Sequence, residues 1–282
     1  MTTNMISWWF DVESNTTTNL ANIQTISDHI EVFSRVHPCN DDLKLDGNLT
    51  EWWSDEEFIS SWNEPLKSLD TLVLPYLLDI DNSTMMHMVM SNSTAFVSDA
   101  ISIAKKYEFN GWFIDYEDEY PSDTDPSKTE NLAEFLTELA DALHEEGMEL
   151  TICVASWSPL LADYKTLASS SVDELQQMST YAMSGPEEYE PFITDYFDKI
   201  DNPDKAGVGI GVYYDGGEYE QEWDEESARK FVQFVKESGG TRLDIFRLLK
   251  NGVNDWPKDD FWWDVLGEFV DMNSNGTSTK LE

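Results

Sequence analysis

The chain has 282 residues with 17 basic and 56 acidic side chains, a formal net charge of −39. A field of that sign repels phosphate backbones and anionic lipid head groups, so no nucleic acid and no membrane surface is expected as a partner. No apolar run is long enough to span a bilayer, and an aromatic share of 13% with 11 Trp excludes acidic disorder.

In chain order, apolar and β-branched runs predict a first strand over Ile6 to Val12, a second over Ile30 to Phe33 and a third over Thr71 to Leu78. Ala95, Val97, Ile101 and Ala104 recur at helical spacing before a fourth strand over Gly111 to Tyr116. Leu132, Phe135, Leu136, Leu139 and Leu143 predict a helix opened by a capping box at Ser127 and Glu130 and stopped at Gly147. Further strands are predicted over Leu150 to Trp157, Met178 to Met183, Gly207 to Tyr214 and Leu243 to Leu249. Phe231, Phe234 and Val235 mark a helix before Gly239, and Trp262, Trp263, Leu266 and Phe269 mark the last one. Strands alternating with helices are βαβ units, and eight of them in this length match an α/β fold with a single (β/α)8 TIM barrel over residues 1–271. The competing open doubly wound sheet carries a glycine-rich phosphate loop after its first strand, and Phe10-Asp11-Val12-Glu13-Ser14 has none. Residues 272–282 form a polar tail whose ending, Lys280-Leu281-Glu282, resembles a cloning scar.

Two cysteines, Cys39 and Cys153, exclude a disulfide framework, and Cys153 in its apolar run reads as a buried thiol. His29, His37, His87 and His144 have no ligand spacing, so no metal and no cofactor is expected. Acceptor motifs at Asn15, Asn48, Asn82, Asn92 and Asn275, and a first segment without a signal-peptide layout, lead to the expectation of a secreted protein whose signal was replaced by Met1, acting as a monomer.

The stretch with the most chemistry is Phe109-Asn110-Gly111-Trp112-Phe113-Ile114-Asp115-Tyr116-Glu117, an apolar run closing on two carboxylates. In a strand Phe113, Asp115 and Glu117 share one face, and in a (β/α)8 barrel the carboxyl ends of the strands carry the active site. Trp112, Ile114 and Tyr116 then face the helices. Aromatic residues near other strand ends, Trp8, Phe10, Trp157, Tyr213 and Tyr214, are candidates for stacking on sugar faces. Arg247 either binds an anionic substituent or pairs with an acid such as Asp115 or Asp215, and the acidity of the chain favours the pair.

Phe109 to Glu117 resembles the fourth-strand signature of the glycoside hydrolase family 18 chitinases and endo-β-N-acetylglucosaminidases, Asp-Gly-x-Asp-x-Asp-x-Glu. The closing Asp-x-Glu is kept, while the first two aspartates are replaced by Asn110 and Phe113. Thr180-Tyr181-Ala182 is similar to the family's Met-x-Tyr-Asp on the sixth strand, with Ala182 in place of the aspartate, and the family's eighth-strand Trp has no counterpart in 243–249. The resemblance implies substrate-assisted retention on N-acetylglucosamine-containing glycans, chitin oligosaccharides or an N-glycan core, cleaved at β-1,4 linkages. It implies Glu117 as general acid, Asp115 as the residue orienting the acetamide, and Tyr181 as its hydrogen-bond partner. The residue at the position of Phe113 shares a proton with that at Asp115 in the family. The alternative implied by these replacements is a chitinase-like lectin that binds glycans without cutting them.

Overall fold

The computed structural model describes residues 4–13, 16–39, 55–79, 93–116, 126–183, 185–212, 223–252 and 255–271. Over them one sheet holds β1 (Met5–Asp11), β2 (Arg35–Cys39), β3 (Leu72–Val73), β4 (Tyr76–Asp79), β5 (Gly111–Tyr116), β6 (Glu149–Val154), β7 (Glu174–Gln177), β8 (Ala206–Gly211) and β9 (Arg242–Leu248). The helices between and after them are α1 (Thr16–Asp28), α2 (Glu56–Leu66), α3 (Ser93–Tyr107), α4 (Pro126–His144), α5 (Tyr164–Ala168), α6 (Pro186–Lys199), α7 (Glu225–Glu237) and α8 (Phe261–Asp271).

All strand pairs are parallel, in the order β3-β2-β1-β9-β8-β7-β6-β5-β4. The two end strands, β3 and β4, are halves of one stave separated by Leu74 and Pro75. Leu74 N–H still donates to Val36 of β2, whereas Pro75 has no N–H and gives its carbonyl to Phe113 of β5. The stave thus pairs with β2 below the break and with β5 above it, and eight staves close as the expected (β/α)8 barrel.

Outward residues of the staves meet the helices in the core. The five predicted apolar positions of α4, from Leu132 to Leu143, are all buried, each contributing roughly 1.5–3 kcal/mol over an exposed side chain. The helix begins at Pro126, so Ser127 lies in its first turn and not at the cap. The buried face of α3 is Phe96, Val97, Ala100, Ile103, Ala104 and Tyr107. Ala95 is exposed, because Phe96 and Tyr107 take the space against the sheet. Gly111 starts β5 at φ +152°, and an added Cβ would overlap the Glu149 carbonyl of β6, so no other residue fits there.

Two staves lie elsewhere than predicted. Ile30–Val32 is a 3₁₀ turn and the second stave is Arg35–Cys39; Ser179–Ala182 is likewise a 3₁₀ turn and the sixth stave is Glu174–Gln177. Both true strands carry polar side chains inward. Arg35 reaches Glu149 at 2.6 Å and pairs with Glu174, whose other partner is Arg242 at 2.9 Å. Asp244 completes this layer at the amino-terminal end of the barrel, beside Glu174 and over Gly207, where an added Cβ would strike both carboxyl groups. Burial alone would raise the pKa of Glu174, but Arg35 and Arg242 outweigh it and hold the carboxyl at about 2. Asp244 is pushed well above the ordinary carboxyl range by burial and by Glu174.

Candidate active site

β5 delivers Phe113 and Asp115 to the barrel interior. Trp112 faces the other way, donating its indole N–H to the Ala100 carbonyl of α3 at 3.1 Å. Asp115 is 3% exposed and accepts the Tyr76 hydroxyl of β4 at 3.2 Å. Below it Phe113 packs on the edge of Trp9 (5.0 Å), on His37 (4.4 Å) and on Tyr76 (5.9 Å). His37 gives its Nδ1–H to the Leu74 carbonyl at 3.0 Å, and burial lowers its pKa to about 4, so the ring is neutral.

Trp9, on the inward face of β1, sits among Tyr76 (5.2 Å), Phe113, Tyr181 (6.1 Å) and Phe246 (5.0 Å). It connects the Asp115 wall to the Tyr181 wall. The Tyr181 ring lies over Gly209 of β8, where a Cβ would strike it. Its hydroxyl accepts from Trp9 Nε1 at 2.7 Å and donates to Gln176. Gln176 turns its amide oxygen to Trp9 and Tyr181 and its nitrogen to Asp244 at 3.2 Å, the orientation in which every donor meets an acceptor. Burial raises the Tyr181 phenol well above its ordinary value, so it stays protonated.

β9 carries an extra residue opposite β1 between Trp8 and Phe10, a bulge that lets consecutive residues both serve the inward face. Phe246 meets Trp9, and Arg247 pairs with Asp11, Nε to Oδ2 at 3.2 Å and Nη1 to Oδ1 at 3.3 Å. Arg247 therefore pairs with an acid as expected, but the acid is Asp11 of the neighbouring strand and not Asp115. Cys39 donates its thiol to the same carboxylate at 3.4 Å.

Of the predicted residues, Asp115, Tyr181 and Arg247 come to the interior or its mouth. Trp157 is 49% exposed in the turn after β6. Trp8 and Phe10 are fully buried on the helix side and form no stacking surface. Trp8 donates to the Val32 carbonyl at 2.8 Å and stacks on Phe33 and Trp263. Period two decides this, because Trp9 and Asp11 hold the inward face of β1. Glu117, Tyr213, Tyr214 and Asp215 lie outside the described residues, as do the tail 272–282 and the five acceptor asparagines. The residues not anticipated are Trp9, Asp11, His37, Tyr76 and Gln176. A signal existed for two of them: Asp11 closes the first strand like Asp115 closes its own, and a carboxylate there must face the mouth, which takes Trp9 with it.

Among the described residues no group of three or more His, Cys, Asp or Glu is placed to hold a metal ion, and no helix is long and apolar enough to cross a membrane. A cavity of about 450 Å³ lined by Lys67, Asp70, Thr71, Glu108 and Asn110 opens at the amino-terminal end of the strands, the end opposite Asp115.

The model of glycosyl hydrolase family 85 matches residues 66–157, a stretch that contains Asp115 and Glu117. No curated protein is similar to the chain. Among solved structures, a class V chitinase from Pseudomonas fluorescens superposes with a TM-score of 0.70 at 14% identity, covering 95% of this chain and 99% of that one. The spore cortex-lytic enzyme SleL of Bacillus megaterium gives 0.68 at 15% identity, covering 95% and 74%. A mutant of the GH18 chitinase from Cycas revoluta, in complex with (GlcNAc)4, gives 0.67 at 13% identity, covering 96% and 99%. At these identities the likeness is one of fold.

Proposed function

We propose that the chain is a glycoside hydrolase that cleaves β-1,4 linkages of N-acetylglucosamine-containing glycans by substrate-assisted retention. The observation that carries the reading is the place of Asp115: a buried carboxylate at the carboxyl end of the fourth barrel stave, inside the mouth, with Glu117 two residues on in the sequence. The family 85 match over this stretch and the chitinase-like fold support it.

In the proposed reaction Glu117 gives its proton to the glycosidic oxygen as the bond to the anomeric carbon breaks. The acetamide oxygen of the substrate bonds to that carbon from the other face. Asp115 accepts the acetamide N–H and balances the charge of the oxazolinium. Glu117, now a carboxylate, takes a proton from water as the water opens the ring with retention. Tyr181 is assigned to the acetamide oxygen: its hydroxyl, shared by Gln176 and Trp9 in the free protein, is the donor for which that oxygen competes. Trp157 supplies an exposed ring for a sugar face.

The test is incubation of the native protein and Glu117→Gln with chitin oligosaccharides and with a high-mannose glycoprotein. Product from the native protein alone is expected. Binding by both proteins with product from neither transfers the chain to the lectin class, and absence of binding by both sinks the glycan reading.

A further inference from the structure

Asp115 is nearly closed off from solvent, and a carboxylate so placed is costly unless donors meet it. The β4–β5 register sets Tyr76 opposite Phe113, one inward step below Asp115, and the length of the phenol ring carries its hydroxyl up to the carboxylate. That ring is itself buried and packed against Trp9 and Phe113 at 5.2 and 5.9 Å, so it arrives in one orientation. The inward neighbour beneath Asp115 on its own strand is Phe113, which has no proton to give. His37, beyond Phe113, has committed its Nδ1–H to Leu74. Burial and the charge of Asp115 both push the Tyr76 phenol upward, so the hydroxyl remains a donor and never becomes an acid.

We propose that Tyr76 is a positioning residue of Asp115: its hydroxyl, fixed by the packing of Trp9 and Phe113, sets the plane of the carboxylate at the mouth and favours its charged form. The inference rests on the reading of Asp115 as the group that receives the acetamide N–H. An aromatic side chain on the neighbouring stave then supplies the hydrogen bond that Phe113, on the same strand as Asp115, does not.

Tyr76→Phe removes one oxygen and keeps the ring. In this variant kcat is expected to fall about tenfold while KM stays within about twofold, as for a lost hydrogen bond to a charged group. The acidic limb of the pH profile moves to higher pH, a shift that altered packing alone does not produce. A readout free of turnover is a ¹³C NMR titration of aspartate-labelled protein, the Asp115 signal being assigned with Asp115→Asn. The signal should titrate at higher pH in Tyr76→Phe than in the native protein. If both titrate alike, the inference is overturned whatever the activity. If the titration moves while the native protein cleaves no glycan, the contact stands and the glycosidase reading falls. Should Tyr76→Phe not fold, 3-fluorotyrosine at position 76, a stronger donor in the same shape, must move the titration to lower pH, and an unmoved titration overturns the inference equally.

Discussion

The Tyr181 hydroxyl is shared by Trp9 and Gln176 inside the barrel, so removing it acts on packing and on the proposed chemistry together. Tyr181→Phe is expected to cost about 1 kcal/mol of unfolding free energy, read by urea denaturation, and to lower kcat on chitin oligosaccharides about tenfold. A variant less stable but equally fast would remove Tyr181 from the acetamide and leave it a barrel-wall residue. Arg247 makes a contrasting case. Its pair with Asp11 is partly solvated, with side chains 36% and 16% exposed, and such pairs are worth little. Arg247→Gln should therefore change stability by less than about 1 kcal/mol in the same denaturation experiment. At this scale the sequence named Asp115, because a strand-closing Asp-x-Glu after Gly111 is a local pattern. It did not name Tyr76 or Trp9, whose roles come from register across strands that are distant in the chain.

β2 and β7 show what a hydrophobic pattern hides. A stave whose inward positions are Arg35 and His37, or Glu174 and Gln176, lacks the apolar run that marks a strand, and in both cases the neighbouring apolar segment is a 3₁₀ turn. Charged residues are tolerated inward there because they pair across the layer, Arg35 with Glu149 and Glu174, and Arg242 with Glu174. With Arg35 and Arg242 opposed by Glu174 and Glu149, the layer is neutral only while Asp244 keeps its proton. Glu174→Gln leaves Arg35 with Glu149 alone and Arg242 beside a neutral amide, and should cost about 3 kcal/mol, the low end for a buried pair broken from one side. Asp244→Asn keeps a neutral side chain of the same shape and should cost far less near neutrality. The pH dependence separates the two acids. Glu174 has its carboxyl lowered from 4.5 to about 2, so its contribution is present above 4.5 and is lost as pH falls from there toward about 2. Asp244 is raised from 3.8, so its contribution is full below 3.8 and fades as pH rises through the folded-state value. Unfolding free energy in the native protein should consequently carry a component that declines from pH 3.8 upward until the folded-state value is passed, and Asp244→Asn should flatten that decline. An unchanged slope in Asp244→Asn would show that Asp244 is not the group responsible.

Over the whole molecule the eight-stave plan was readable from alternation and length, since each βα unit repeats the same burial rule. The break at Pro75, where one stave changes partners, was not, because only the closed sheet shows which strand takes the Pro75 carbonyl. The −39 charge acts at this scale as well. Ion pairs on the surface, such as Lys199 with Asp195 and Lys230 with Glu226, join side chains that are more than half exposed, and salt weakens them. The repulsion among unpaired carboxylates is screened by the same salt. With acids outnumbering bases by more than three to one, repulsion is the larger sum, and it opposes the compact state. Raising NaCl from 0.01 M to 1 M shortens the screening length from about 30 Å to about 3 Å. Tm should then rise by several degrees, at about 2–4 °C per kcal/mol of repulsion removed for a chain of this size. Arg35 and Glu174, each 1% exposed, are screened far less than the surface pairs and contribute little opposing change. The same titration bears on the substrate. A neutral N-acetylglucosamine oligomer meets no long-range force from the protein, so its KM should stay level while Tm climbs. A glycan bearing carboxylates is repelled by the acidic surface, and its KM should fall over the same range. A KM for neutral chitin oligosaccharides that followed the salt would contradict recognition by hydrogen bonding and ring stacking at the barrel mouth.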